Sequence, residues 1–150
     1  MQLTLFSDYA LRILLYLSAH PERRVPLPEI SDAYGISQHH LVKVVQLLVE
    51  ENLVESVRGR GGGLRLAQKP HDINIAAVVR LTEPNLSLVE CFDPLTNTCP
   101  IDSACGLKNV LLRAQRAFFA ELEQHSLADF SSRGPALIKL WRRNPKELPA

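Results

Sequence analysis

The sequence predicts a mainly α fold: a winged helix-turn-helix with a two-stranded wing, followed by a long C-terminal helix suited to dimerisation. Three observations carry this expectation. Two amphipathic segments, 27–34 and 38–51, meet at Gly35 with the spacing of a helix-turn-helix. A basic hairpin pattern centred on glycines follows directly. A wide apolar arc then covers the stretch from Gly106 to about Ser126.

Taken in order, Ser7 is expected to cap a helix beginning at Asp8, with Leu11, Leu14, Leu15 and Ser18 at helical spacing and Pro21 beyond its end. Asp8 falls in the first turn, where the helix dipole favours a carboxylate. Pro26 and Pro28 punctuate the next loop, and 27–34 reads as a short helix with Ile30 and Ala33 inward. Gly35 ends it, because glycine accepts the left-handed conformation of a tight turn. Ile36 is expected as a buried turn residue and Ser37 as the cap of the next helix, which turns Leu41, Val44, Val45 and Leu48 inward. An ordinary helical hairpin is the alternative, and the segment that follows weighs against it.

That segment is a strand to Arg58, the tip Gly59-Arg60-Gly61-Gly62-Gly63, and a returning strand to Ala67. From Ser56 to Lys69 it holds four basic residues, Arg58, Arg60, Arg65 and Lys69, and no acid. No lysine-threonine or lysine-serine pair follows the glycines, so the tip is a poor phosphate loop. It suits a thin wing that enters a minor groove with an arginine. Gln38, His39, His40 and Lys43 stand at the exposed start of the second helix, and their side chains can hydrogen-bond base edges or phosphates. Surface histidines are more often solvated bystanders; their place at the leading end of a recognition helix raises these two.

A helix over 73–81 follows, with Ile75, Val78, Val79 and Leu81 apolar and Pro84 ending it. In the long helix, Leu107, Val110, Leu111, Ala114, Ala117, Phe118 and Leu122 line one face, and Leu112 and Phe119 a neighbouring one. So wide an arc predicts a symmetric homodimer built on this helix; the alternative is burial wholly within its own subunit. Ser131 to Pro135 reads as a break, and the basic tail with Trp141 has no assigned role. The organisation is thus a DNA-binding unit at 1–82, a loop at 83–105, the dimerisation helix and following segment at 106–130, and a tail at 131–150.

Composition is that of a soluble globular protein, at 150 residues with 46% apolar and 22% charged. The first twenty residues lack a basic start and are interrupted by Asp8 and Arg12, which argues against a secretory signal. No membrane span is expected, and a cytoplasmic location follows. There is no nucleotide motif, no carboxylate pair at catalytic spacing and no nucleophile with a base, so an enzyme is not expected.

All three cysteines lie between positions 91 and 105, as Cys91, Cys99 and Cys105. Pro94, Pro100 and Gly106 keep this stretch irregular, so the thiols share one loop able to fold around a small object. An odd count disfavours a structural disulfide. A thiol redox switch and metal ligation remain, and ligation is preferred, since thiolates bind iron–sulfur clusters and zinc. Three ligands are one short of the usual four.

The span from Met1 to about Phe130 resembles the dimeric winged-helix iron–sulfur regulators, a family with nitric-oxide-sensing (NsrR-type) and cluster-biogenesis (IscR-type) branches. The matching strings are Ser7-Asp-Tyr-Ala-Leu-Arg12, Tyr34-Gly-Ile-Ser37, His40-Leu-Val-Lys43, Ser56-Val-Arg-Gly-Arg-Gly-Gly-Gly63 and the three cysteines. Glu83-Pro-Asn-Leu-Ser-Leu-Val-Glu-Cys91 looks closest to the NsrR-type branch. The resemblance implies that Cys91, Cys99 and Cys105 bind a cluster, with four-iron (4Fe-4S) favoured and two-iron (2Fe-2S) also fitting. The IscR-type histidine three residues beyond the last cysteine is here Lys108, which cannot ligate while protonated. The NsrR-type aspartate matches Asp8, contributed by the other subunit; Glu90, Asp93 and Asp102 are local alternatives. The resemblance further implies operator DNA as partner. Ser37, Gln38, His39, His40 and Lys43 would enter the major groove, with Arg58, Arg60, Gly61 and Gly62 at the wing. The implied function is a repressor whose cluster reacts with nitric oxide and thereby lowers operator affinity. A cluster-biogenesis or redox-sensing regulator, or one using zinc or a thiol switch, is the alternative.

Overall fold

The computed structural model describes residues 2–131 and 133–142; Met1, Ser132 and residues 143–150 of the basic tail lie outside them. Helix α1 spans Leu5–Ser18. Its cap is Thr4, whose hydroxyl accepts a hydrogen bond from the Ser7 N–H at 3.2 Å. The expectation that Ser7 caps this helix is therefore corrected: Ser7 is inside it and fully buried. Thr4 supplies the same capping chemistry one turn earlier, and the Ser7 hydroxyl instead finds a half-buried acceptor in Glu83.

Helix α2, Leu27–Tyr34, starts with a proline in its first turn and ends at Gly35, whose φ of 64° is left-handed. Helix α3, Gln38–Glu50, buries Leu41, Val44, Val45 and Leu48, the four side chains its spacing turned inward. Ser37 occupies its cap position, but the side chain makes no capping hydrogen bond there. Ile36 is half-buried rather than buried and packs against the core.

Strands β1, Val54–Val57, and β2, Gly63–Leu66, pair antiparallel, with Val54 opposite Leu66 and Val57 opposite Gly63. The sequence pattern missed a third extended piece. Val25, between α1 and α2, exchanges two backbone hydrogen bonds of 2.8 Å with Leu64 and so ties the wing's base to the helices. The approach is close: a Cβ on Gly63 would stand 2.9 Å from the Val25 carbonyl oxygen.

Helix α4 is Ile75–Thr82 and begins two residues later than the apolar pattern suggests. Asn74 caps it by accepting from the Ala77 N–H at 3.1 Å, and Ile73 accepts a backbone hydrogen bond from Leu127. Helix α5 is Gly106–Glu123. It stops short of Ser126 because the chain turns there, bringing His125–Leu127 alongside Ile73–Ile75. Helices α6, Ala128–Ser131, and α7, Gly134–Trp141, complete the described chain.

The main core runs along Ala10, Ile13, Leu14 and Leu17 of α1 and takes in α2, α3, both strands and Leu127. Trp141 joins its edge, with its ring centroid 4.6 Å from that of Tyr16 and 5.6 Å from that of Tyr34. A second cluster joins Ala76 and Val79 of α4 to Phe119 of α5. On α5, Phe119 is the buried side chain, whereas Leu107 and Val110 are 63% and 50% exposed.

Candidate nucleic-acid interface and metal centre

The cap position and first turns of α3 carry Ser37, Gln38, His39, His40 and Lys43, all exposed. The helix can present them because its opposite face is anchored by the four buried residues named above. The His40 ring stacks beside Tyr9 at 6.4 Å, next to a cleft of about 240 Å³ lined by Leu5, Phe6, Tyr9, His39, His40 and Lys43. At the wing, Arg65 is paired with its cross-strand neighbour Glu55 at 2.6 Å. Arg58, Arg60 and Gly61 are exposed at the tip. Gly62 is sterically required, since a Cβ there would meet the Val57 carbonyl oxygen at 2.3 Å. The sequence-derived DNA-binding residues thus fall on two exposed surfaces, the reading helix and the wing.

The loop from Glu83 to Cys105 carries four acidic residues and no lysine, arginine or histidine. Single helical turns form at Glu90–Phe92, which holds Cys91, and at Asp102–Ala104. Cys105 takes the cap position of α5, and Cys99 lies between the two turns. All three thiols are free and half-buried. The acids around them are engaged locally. Glu90 accepts from both the N–H and the hydroxyl of Thr98 at 3.0 Å. Asp93 accepts from the Leu95 N–H at 2.9 Å and the Thr96 hydroxyl at 3.0 Å. Asp102 pairs with Lys108 at 2.6 Å. That hydrogen bond raises the Lys108 pKa, to which nearby Cys91 and Cys105 add, so Lys108 stays protonated and is no metal donor.

Asp8 stands in the first turn of α1, paired with Arg12 through contacts of 3.0 and 2.9 Å and 39% exposed. Among the described residues no three His, Cys, Asp or Glu side chains are gathered as a metal site, the three cysteines included. The donor set nonetheless fits the implied group: three soft thiols share one loop, and that is the chemistry iron–sulfur clusters and zinc select.

One polar residue at this site escaped the sequence reading as a participant. Glu83, directly after α4, accepts hydrogen bonds from the Thr4 N–H, the Thr4 hydroxyl and the Ser7 hydroxyl. Nothing local marks it, since its partners lie more than seventy positions earlier in the chain.

A helix-turn-helix with a basic wing, its reading helix exposed and its back anchored in one core, defines a winged-helix DNA-binding regulator. Residues 3–133 match the Rrf2 family, described as iron-dependent transcriptional regulators, and the chain belongs to that family. It is 48% identical over 130 residues to the HTH-type transcriptional regulator NsrR of Shouchella clausii, covering 86% of this chain and 87% of that protein. It is 44% identical over 143 residues to NsrR of Bacillus subtilis, covering 95% and 98%. Among solved structures, the global cysteine regulator CymR of B. subtilis superposes with a TM-score of 0.70 at 26% identity, over 88% of this chain and 97% of that one.

Proposed function

We propose that this transcriptional regulator is a cytoplasmic, homodimeric repressor that senses nitric oxide through an iron–sulfur cluster, four-iron rather than two-iron. The observation that carries the reading is the loop itself: three free, half-buried thiols, the last of them at the head of α5. Similarity to proteins named NsrR supports the same branch.

Cys91, Cys99 and Cys105 would hold the cluster, and Asp8 of the other subunit would supply the oxygen ligand. When bound, the cluster supplies iron reactive toward nitric oxide. Everything else falls to the chain's own residues. Asp8 is the best-suited of the four carboxylates considered, because its present partner is an exposed i,i+4 arginine and such pairs hold by only about 0.3–0.5 kcal/mol. Glu90 and Asp93 accept hydrogen bonds within the loop and Asp102 pairs with Lys108 of α5, so each would have to give up a contact of its own loop or helix. A carboxylate is a hard ligand among soft ones and is the easiest of the four to displace. Release of Asp8 would free the head of α1, which packs on α3 and so bears on the reading helix. Couplings of about 1–3 kcal/mol, roughly 5–150-fold in affinity, suffice for such a switch.

The unpartnered apolar face of α5, with Leu107 and Val110 exposed, supports a symmetric dimer. Two such subunits would set two α3 helices on a near-palindromic operator, Ser37, Gln38, His39, His40 and Lys43 in the major groove and Arg58 and Arg60 at the wing. The test uses anaerobically purified protein. Iron and sulfide analysis, visible absorption and operator binding should all respond together, and nitric oxide should weaken binding as it bleaches the absorption. Zinc in place of iron, or operator affinity indifferent to both cluster and nitric oxide, would overturn the reading.

A further inference from the structure

The beginning of the cysteine loop is fastened to the head of α1 by one carboxylate. Glu83 Oε1 accepts three hydrogen bonds, from the Thr4 N–H at 2.7 Å, the Ser7 hydroxyl at 2.5 Å and the Thr4 hydroxyl at 3.1 Å. Ser7 is fully buried, and the buried Thr82 hydroxyl lies 2.8 Å behind it. The carboxylate thus takes one backbone donor, the Thr4 N–H, and two hydroxyls at the positive end of α1. Burial acts to raise its pKa, but the hydrogen bonds from Ser7 and Thr4 prevail and hold it below the usual carboxylate value. These are charge-assisted contacts, stronger than those between neutral groups.

Two further features make this more than a helix cap. Glu83 is the residue before Pro84, and its backbone is extended, as a following proline requires. Its backbone is thus restricted where the loop leaves α4, and three residues on, the loop is held a second time, where the Gln115 side chain of α5 donates to the Leu86 carbonyl oxygen. On the other side, the turn it grips carries Asp8 next to Ser7. The inward residue of that turn is thereby held by the chain's own loop, while the outward one is left for a partner.

We propose that Glu83 is a positioning residue that makes ordering of the cysteine loop and placement of the α1 head a single cooperative event within one subunit. Its regulatory meaning rests on the reading of the loop as an iron–sulfur site. Ordering the loop from Cys91 onward would then seat α1, and through it α3, even before Asp8 acts across the dimer.

The experiment compares the full-length parent with Ser7→Ala, Glu83→Gln and Glu83→Ala. Amide hydrogen exchange is followed in metal-free protein, and operator affinity is measured with and without anaerobic iron–sulfur reconstitution. Ser7→Ala is the informative change because it is remote in sequence from the loop. It should speed exchange at residues 85–92 as well as at 5–9, by about tenfold or more, as expected for a hydrogen bond to a charged group. Glu83→Gln should fall between parent and Glu83→Ala. The ratio of cluster-loaded to metal-free operator affinity should shrink in Glu83→Ala. If Ser7→Ala loosens residues 5–9 and leaves the loop at the parent rate, Glu83 is a cap and the proposal fails. If the parent's affinity ignores the cluster, the iron–sulfur reading fails while the exchange result still decides the tie. Should Glu83→Ala not fold, Ser7→Ala and Glu83→Gln carry both measurements.

Discussion

Arg12 grips Asp8 from one turn further along α1, its Nε and terminal nitrogen lying 3.0 and 2.9 Å from the two carboxylate oxygens. The same guanidinium lies over the Tyr34 ring at 5.5 Å, and the Tyr34 hydroxyl donates to the Arg12 carbonyl oxygen. Arg12 therefore links the carboxylate proposed as a ligand to Tyr34, the residue before the turn glycine, Gly35, of the helix-turn-helix.

Asp8→Ala separates the two roles open to this side chain. An exposed i,i+4 pair contributes about 0.3–0.5 kcal/mol, so metal-free protein should melt within about 2 °C of the parent. The cluster should still assemble on three thiolates, but its absorption spectrum and its response to nitric oxide should differ. A spectrum and response equal to the parent's would leave Asp8 as a first-turn residue that merely suits the helix dipole.

Trp141 is the sole tryptophan of the chain, so its fluorescence reports directly on α7. Its ring lies against Tyr16 and Tyr34, one on α1 and one at the end of α2. Trp141→Ala removes this half-buried contact and should destabilise by about 1–3 kcal/mol, below the roughly 3–5 kcal/mol of a fully buried aromatic. Thermal melting checks the magnitude. In the parent, the emission should shift to the red together with loss of helical circular dichroism rather than before it.

The helices that build the reading surface were legible because their inward residues repeat at helical spacing and each segment ends on a residue with one physical meaning. Gly35 is the clearest, since its left-handed φ is what the turn needs. The wing was legible for the same reason: only a glycine fits where Gly62 approaches Val57. Long-range pairings were not legible. Val25 pairs with Leu64, Asn74 with Ser126 and Thr4 with Glu83, and in none does the sequence near one partner specify the other. Ser7 shows how this misleads. Locally it has the chemistry of a cap, and only Glu83, brought in by the fold, gives its buried hydroxyl an acceptor.

Acid should loosen the seam between α1 and α2. Arg23 holds the Glu29 carboxylate below its ordinary pKa, and the Tyr16 hydroxyl donates to the same group at 2.8 Å. A carboxylate with a depressed folded-state pKa contributes stability that is present above its unfolded value, near 4.3, and is lost as pH falls through the lower folded value. Melting temperature should thus decline below about pH 4.5, and Glu29→Gln should flatten part of that decline. Burial chiefly, with Glu29 beside it, pushes the Tyr16 pKa up to about 12, so this hydroxyl stays protonated through the neutral range.

Salt dependence distinguishes phosphate contacts from base contacts on the two surfaces proposed to face DNA. A side chain that neutralises one phosphate steepens the slope of log affinity against log salt by about 0.9. Lys43→Ala and Arg60→Ala should each lower affinity across all operator sequences and reduce that slope by about one if they contact phosphate. A residue that reads a base should instead relax sequence preference at one position, at about 1–3 kcal/mol for a good bidentate contact. Gln38 is the side chain of this set with a paired donor and acceptor suited to adenine, so Gln38→Ala should relax one position in each half-site and leave the slope nearly unchanged. Titration of a panel of single-base operator variants at two salt concentrations measures both quantities. A Gln38→Ala protein with unaltered preference and a shallower slope would move this residue from base reading to backbone positioning.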